Sequence, residues 1–419
     1  MARKRKIRRG RHSFSRRRRF HIPWKGIGAV LVLVVLCGLG VLTAKWIGNG
    51  LQKKEPSPAT GKATTTVSSA ATVTTATAAP QTPQTPALSA VHGCYLPKAS
   101  LQQKEAREQA VVAAKKAGFN AVVFDLKDTT GAVGYASATA GAKKAACVEK
   151  TALSLADLKA FAAFCEKNGV VAIPRLCCFE DPLAAKNLDG AHILYNGDAS
   201  LLWLDNSPQK GGKPWLNPYS PEAHAYMQGY VTELVGLGFK NVMLTGVQFP
   251  TQTFAASFGS TKFSSLSKLD VLTRFVTDTK AAAKKADQNA TITVCVPALA
   301  TFSDNTAVYG GNPLNFGADA VAPLIFLDSL GSKLTVGNEV LNDPQSDPKK
   351  AVELVLKQTS LRLKLIDEKK QPLLLPFVQG YDVADTAVQA ELAALRAQNG
   401  DGAAFVMVHP DGKYPLAAY

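Results

Sequence analysis

The chain has 419 residues, and its 48 Lys and Arg against 32 Asp and Glu give a formal net charge of +16. The excess sits at one end: residues 1–25 hold 12 Lys/Arg and no acidic residue, whereas residues 56–419 carry only about +2. A basic tail with no interleaved aromatics and no folded module argues against a nucleic-acid binder, and the remainder is nearly neutral. The tail, with its Arg16-Arg17-Arg18-Arg19 run, reads most simply as a topology signal and otherwise as a contact for anionic lipid head groups.

Residues 26–44 form an uncharged run rich in Val and Leu, flanked by Trp24 and Trp46. As a helix it would extend about 28 Å, close to the thickness of a bilayer's hydrocarbon core. The excess of positive charge before it predicts a single-pass span over 26–46, with a cytoplasmic tail (1–25) and an extracellular C-terminal domain. A cleaved signal peptide is the rival, but Leu42-Thr43-Ala44-Lys45 is a poor cleavage site. Residues 47–91 are mostly Ala, Thr, Pro, Ser and Gln, too poor in large apolar side chains to offset chain entropy. They predict a disordered stalk that holds the next domain off the membrane.

From residue 92 short apolar runs alternate with amphipathic segments. Strands are predicted over 92–96, 120–125, 170–176, 241–246, 291–297, 319–326, 372–378 and 403–408. Helices are predicted over 104–117, 154–168, 221–237, 266–286, 348–366 and 384–398. Ser154 and Ser220 suit helix starts, and Gly118, Gly169 and Gly238 suit helix ends. Continuous apolar strands separated by helices fit a parallel sheet buried on both faces. Eight of them predict an α/β fold, a (β/α)8 TIM-type barrel over 92–419. A doubly wound open sheet is the runner-up, but no Gly-x-Gly-x-x-Gly turn supports it. The long connection 177–219 follows the third strand and would help build the functional face. Cys94, Cys147, Cys165, Cys177, Cys178 and Cys295 are even in number and permit disulfides, while Cys37 lies in the apolar run. No Cys-x-x-Cys pair or spaced histidine pair indicates a metal, and no cofactor is implied. Asn289-Ala290-Thr291 matches a glycosylation sequon, a short pattern that arises readily by chance.

Four stretches resemble a bacterial glycosyl hydrolase-type domain of membrane-anchored and secreted proteins, a relative of α-amylase-type barrels. Val123-Phe124-Asp125-Leu126-Lys127-Asp128 is similar to that family's Val-Ile-Asp-Val-Lys-Asp strand. Ile173 to Pro182 resembles Ile-Ala-Arg-Ile-Val-Val-Phe-Lys-Asp-Pro, and Trp215 to Tyr219 resembles Trp-Leu-Asp-Pro-Tyr. Phe239 to Pro250 resembles a fourth strand ending in Phe-Asp-Tyr-Val-Arg-Phe-Pro. The departures fall on charge: the family's Asp, Tyr and Arg align with Thr245, Gly246 and Gln248, and another Asp with Asn217.

Glycoside cleavage takes two carboxyl groups, one to protonate the leaving oxygen and one to attack the sugar or activate water. By resemblance, the fourth strand would carry the attacking acid, and Thr245 cannot replace it without an adjacent base. The remaining catalytic candidates are Asp125 and Asp128 after the second strand and Asp328 after the sixth. Glu180, Asp181, Asp382 and Asp411 also follow strands. The plainer reading of Asp125 is an internal pair with Lys127 or Arg175 that fixes the barrel rim, and Asp181-Pro182 is a natural loop opener. Substrate contacts are expected from Lys127, Arg175, Trp203, Trp215 and Gln248, and Tyr219 and Tyr309 are further aromatic candidates. His192, His224 and His409 have no nucleophile partner and read as structural.

Three functions follow. The first is a membrane-anchored, extracellular barrel that binds cell-envelope polysaccharide with lost or weakened catalysis, anchored in lipid by its N-terminal helix. The second is an active hydrolase with a relocated carboxylate pair, Asp125 or Asp128 with Asp328. The third is a non-enzymatic envelope scaffold.

Overall fold

The computed structural model describes residues 86–400 and 402–409. The tail and the expected membrane span, with most of the stalk, lie outside the described residues, as does Asp411. Among the described residues no helix is long and apolar enough to cross a membrane.

Eight strands run in parallel and close on themselves. They are β1 (His92–Leu96), β2 (Ala121–Lys127), β3 (Val171–Cys177), β4 (Asn241–Thr245), β5 (Thr291–Pro297), β6 (Ala320–Ile325), β7 (Phe377–Gln379) and β8 (Phe405–Val408). Each pairs with its neighbours in sequence, and β8 returns to β1, with Gly93 opposite both Val406 and Ala121. A two-residue strand, Leu373–Leu374, precedes β7 and also pairs with β6. The connecting helices are α1 (Lys104–Lys116), α2 (Leu155–Lys167), α3 (Pro221–Gly236), α4 (Lys268–Ala286), α5 (Pro348–Leu363) and α6 (Asp385–Asn399). The β5–β6 connection carries only 3-10 turns, at Ala298–Thr301 and Pro313–Asn315.

Local chemistry sets these boundaries. The hydroxyls of Ser154, Ser220 and Ser267 accept the backbone N–H three residues on, starting α2, α3 and α4. Gly118, Gly169 and Gly238 take positive φ just past α1, α2 and α3, where a side chain would be strained.

Two apolar layers result. Inside the barrel lie Val123, Ile173, Met243, Ala322, Phe377 and Val406 with their neighbours, and Val91 closes this cluster with no exposure. The folded domain therefore takes in residues whose composition alone assigns them to the stalk. The larger layer lies between strands and helices, where Phe124 packs edge-on against Phe161 and Phe239.

All six cysteines among the described residues are free and buried, so the disulfides that their even number permits are not formed there. Burial pushes the thiols of Cys94, Cys165 and Cys295 up to about 12, which leaves them protonated and unreactive.

Candidate functional site

In a barrel of this kind the strand C-termini and the loops that follow them form the functional face. On β2, Asp125 points into the barrel mouth and is fully committed. It accepts Arg175 Nε at 2.5 Å and Nη2 at 2.9 Å, and the Tyr95 hydroxyl at 2.9 Å. The Arg175 guanidinium lies 5.3 Å from the Tyr95 ring and 5.8 Å from the Phe377 ring of β7, so it spans the mouth. Burial and Asp125's charge raise the Tyr95 hydroxyl well above its usual value. The paired Asp125 carboxylate raises the Arg175 guanidinium further still, against the cost of its burial. The mouth thus holds an internal ion pair, about one-fifth exposed, flanked by two aromatic rings.

Strand alternation places Lys127 on the same face as Asp125, but the register between β2 and β3 slips between Asp125 and Lys127. Such a bulge re-aims the following side chain. Lys127 turns away from the mouth and is buried completely. Its Nζ lies 2.9 Å from Asp181 Oδ2 and donates to the Cys177 carbonyl at 2.6 Å. Asp181 also caps the short helix Pro182–Asn187 through Ala184 N–H and accepts the Tyr226 hydroxyl at 3.0 Å. Lys127 therefore offers no surface to a substrate, contrary to the expectation from sequence, and Asp181 does much more than open a loop.

The other expected catalytic carboxylates have hydrogen-bond partners of their own, although the charge of Asp128 also reaches Tyr95. Asp128 accepts the backbone N–H and hydroxyl of Thr130 in a tight turn and lies 4.0 Å from Lys98. Asp328 is exposed and accepts the Tyr381 hydroxyl at 3.1 Å, while its backbone N–H donates to Gln379. Asp125, Asp128 and Asp328 are thus held by three separate sets of partners.

The β4 tip differs from an acid-bearing strand end. Gly246 has φ +61°, and a Cβ there would meet Cys177 Sγ at 3.1 Å. Thr245 and Gly246 accept backbone N–H bonds from Cys178 and Phe179. Gln248 accepts the Tyr309 hydroxyl at 3.1 Å. Asn217 donates its amide to the Phe258 carbonyl at 2.8 Å, a bond that a carboxylate in its place could not make. These neutral groups fit their surroundings and supply no attacking carboxylate.

Glu180 lies beside this tip, with its backbone N 4.0 Å from a Cβ built on Gly246. It is half-buried. Burial raises its carboxyl, Lys213 pulls it down, and Asp205 pushes it up again. A half-buried carboxyl at this place makes Glu180 the candidate acid of the face. The sequence shows Glu180 only as one of several acids beyond a strand; its environment becomes visible in the fold. Asp205, which sequence reasoning missed, accepts Lys213 N–H at 2.8 Å and Trp215 Nε1 at 3.1 Å.

The two expected tryptophans are almost wholly covered, Trp215 at 6% exposure and Trp203 at 3%. Trp215 ties its loop to Asp205. Trp203 donates Nε1 to the Phe254 carbonyl at 2.8 Å, and its edge lines a cavity of about 540 Å³. His224 is buried among Phe179, Phe263 and Phe275, its imidazole held down at about 4 mainly by burial. Tyr219 packs against Phe249 and Phe258.

A family model described as "putative glycosyl hydrolase domain" matches residues 93–414. The chain belongs to this family. A comparison with curated proteins finds no match. Among solved structures, a hypothetical protein from Ruminiclostridium thermocellum is 22% identical, with a TM-score of 0.39, over 48% of this chain and 96% of its own. The Nostoc punctiforme debranching enzyme is 11% identical, with a TM-score of 0.48, over 80% of this chain and 79% of its own. Eubacterium rectale Amy13B is 12% identical, with a TM-score of 0.45; 78% of this chain is covered and 66% of that one. At such identities and scores these likenesses do not bear on the chemistry. The glycosyl hydrolase-like barrel rests on the family match and on the closed parallel sheet.

Proposed function

We propose that this barrel binds cell-envelope carbohydrate with its catalysis lost or weakened, held at the membrane by the apolar segment near its N-terminus. One observation carries the reading: Glu180 keeps an acid's environment beside a β4 tip whose Thr245, Gly246 and Gln248 supply no attacking carboxylate. Hydrolysis needs both members of the pair. Asp125 does not take the vacant role, because its two oxygens already hold Arg175 and Tyr95. The anchoring rests on the run 26–44 and its lopsided flanking charge. Buried, protonated thiols are compatible with an oxidising exterior, since they offer no thiolate to attack.

A second reading, an active hydrolase with a relocated pair, draws support from Asp205, whose charge is felt at Glu180. Here Glu180 would donate the proton, and Asp205 would act with it once released from Lys213 N–H and Trp215 Nε1, which hold both its oxygens. Incubation of the purified full-length protein with envelope glycans separates the two, by reading binding and reducing-end release together. Binding without release fits the first reading. Release that disappears in both Glu180→Gln and Asp205→Asn fits the second, and neither binding nor release removes both.

A further inference from the structure

The cavity under Trp203 has features that its place in the loops does not explain. It is bounded by two connections on the functional face, the one after β3 and the one after β4. Tyr195 and Phe254 face it from opposite segments, with Trp203 behind them. Phe254 is 87% exposed and Tyr195 41%, so two aromatic rings stand open to solvent at one cleft.

The backbone holds both rings in place. Leu194–Tyr195 pairs antiparallel with Ala256–Ser257 and with Asp198–Leu202, so the two loops share a small sheet. Asn196 N–H donates to the Ala255 carbonyl at 2.8 Å, and Trp203 Nε1 fixes the Phe254 carbonyl. Ala255 sits at φ +57°, the left-handed region that an alanine rarely enters. Strain of this kind persists where the surrounding structure imposes it, and it gathers at ligand clamps. A preorganised ring loses little freedom on binding.

The remaining lining sets the ligand's charge. Asn206, Ser207 and Gln252 offer amide and hydroxyl groups, Asp205 a carboxylate, and among the described residues no Lys or Arg lines the cavity. An anionic ligand would meet one repelling carboxylate and no counter-charge in that lining. A flat apolar ring edged with hydroxyls fits instead. Asp205 also joins the cavity to the Glu180 acid.

We infer that this cleft is a subsite for an uncharged glycan, a chain of neutral hexose or N-acetylhexosamine units, with a sugar face stacked on Phe254 and Tyr195 and its hydroxyls bonded to Gln252 and Asn206. The inference rests on the carbohydrate-binding reading above and gives it a place and a ligand class.

The test is calorimetric titration of the full-length protein with maltoheptaose, cellohexaose and hexa-N-acetylchitohexaose, with polygalacturonate as the charged comparison. The wild type binds at least one neutral oligomer and binds polygalacturonate at least ten-fold more weakly. Phe254→Ala and Tyr195→Ala each weaken the neutral oligomer ten-fold or more, while their melting temperatures stay with the wild type. Gln252→Ala weakens it several-fold. If the wild type binds a neutral oligomer and both ring variants bind it equally well, the subsite is wrong and the carbohydrate reading stands. Equal or stronger binding of polygalacturonate overturns the assignment of an uncharged ligand. Binding to none of the four removes both the subsite and the reading beneath it.

Discussion

The barrel mouth and the loop cleft beside it treat polar groups in opposite ways. In the mouth, Asp125, Arg175 and Tyr95 satisfy one another, and Lys127 and Asp181 do so beneath them. In the cleft, aromatic faces and amides are turned to solvent on a small sheet. Charged groups that are paired internally hold a shape, whereas groups left open at fixed positions are ready for a ligand. On the proposed reading, ligand contact falls to the cleft and not to the barrel mouth.

The comparison breaks most visibly where a paired group is removed. Asp181→Ala strips Lys127 of its counter-charge with no exposure at the site, and also removes a helix cap. A loss of about 3–5 kcal/mol in urea unfolding is expected, as for other buried pairs broken on one side. Replacing both partners with apolar residues, Lys127→Met with Asp181→Leu, should recover a good part of it. Asp125→Asn comes next. The pair it weakens sits about one-fifth exposed, so the expected loss is about 2 kcal/mol, with glycan binding retained.

A third outcome concerns pH. Glu391 on α6 has no exposure; one of its oxygens accepts Gln379 N–H, and the other has no partner among the described residues. Burial pushes its carboxyl up to about 8. A group whose folded value lies above its unfolded value stabilises fully below the latter and loses that contribution as pH rises through the folded value. The window runs from about 4.5 to about 8. His224, held at about 4, works oppositely: buried and neutral, it costs stability as pH falls below its unfolded value of about 6.5. Between about pH 6.5 and 8 Glu391 therefore acts without it, and stability should fall by about 1–2 kcal/mol. Glu391→Gln should flatten that slope in denaturant titrations at several pH values.

The smallest stability effect is expected at the cleft. Phe254→Ala should change unfolding free energy by less than about 0.5 kcal/mol, as surface substitutions do. A larger loss would mean that the ring supports the fold and is not held open for a ligand.

Much of the fold is legible in the chain. The eight apolar runs fall on the eight strands because each strand is buried on both sides and leaves an uninterrupted signal. The run at 372–378 is divided in the structure into Leu373–Leu374 and Phe377–Gln379, around a proline that brings no N–H to the ladder. The β5–β6 gap lacks the helix that a regular repeat would have, as its sequence shows no helical spacing. The site was harder to read. The Asp125–Arg175 pair could be anticipated as one option, because both lie near strand ends. Lys127 could not be placed, since a one-residue bulge reverses its direction and leaves no mark in the alternation. Glu180 was visible as an acid, but its carboxyl is raised first by burial, with Lys213 opposing and Asp205 adding to it, and neither the burial nor these neighbours, more than twenty residues away, shows in the local sequence. Phe254 gave no local signal, because an exposed aromatic and a buried one look the same in sequence.

The most direct test is a time course of reducing ends from neutral oligosaccharides that the purified full-length protein binds. The account predicts saturable binding with no release above the rate in buffer. Release that vanishes when Glu180 is changed to Gln would contradict it and show that the acid has found a partner.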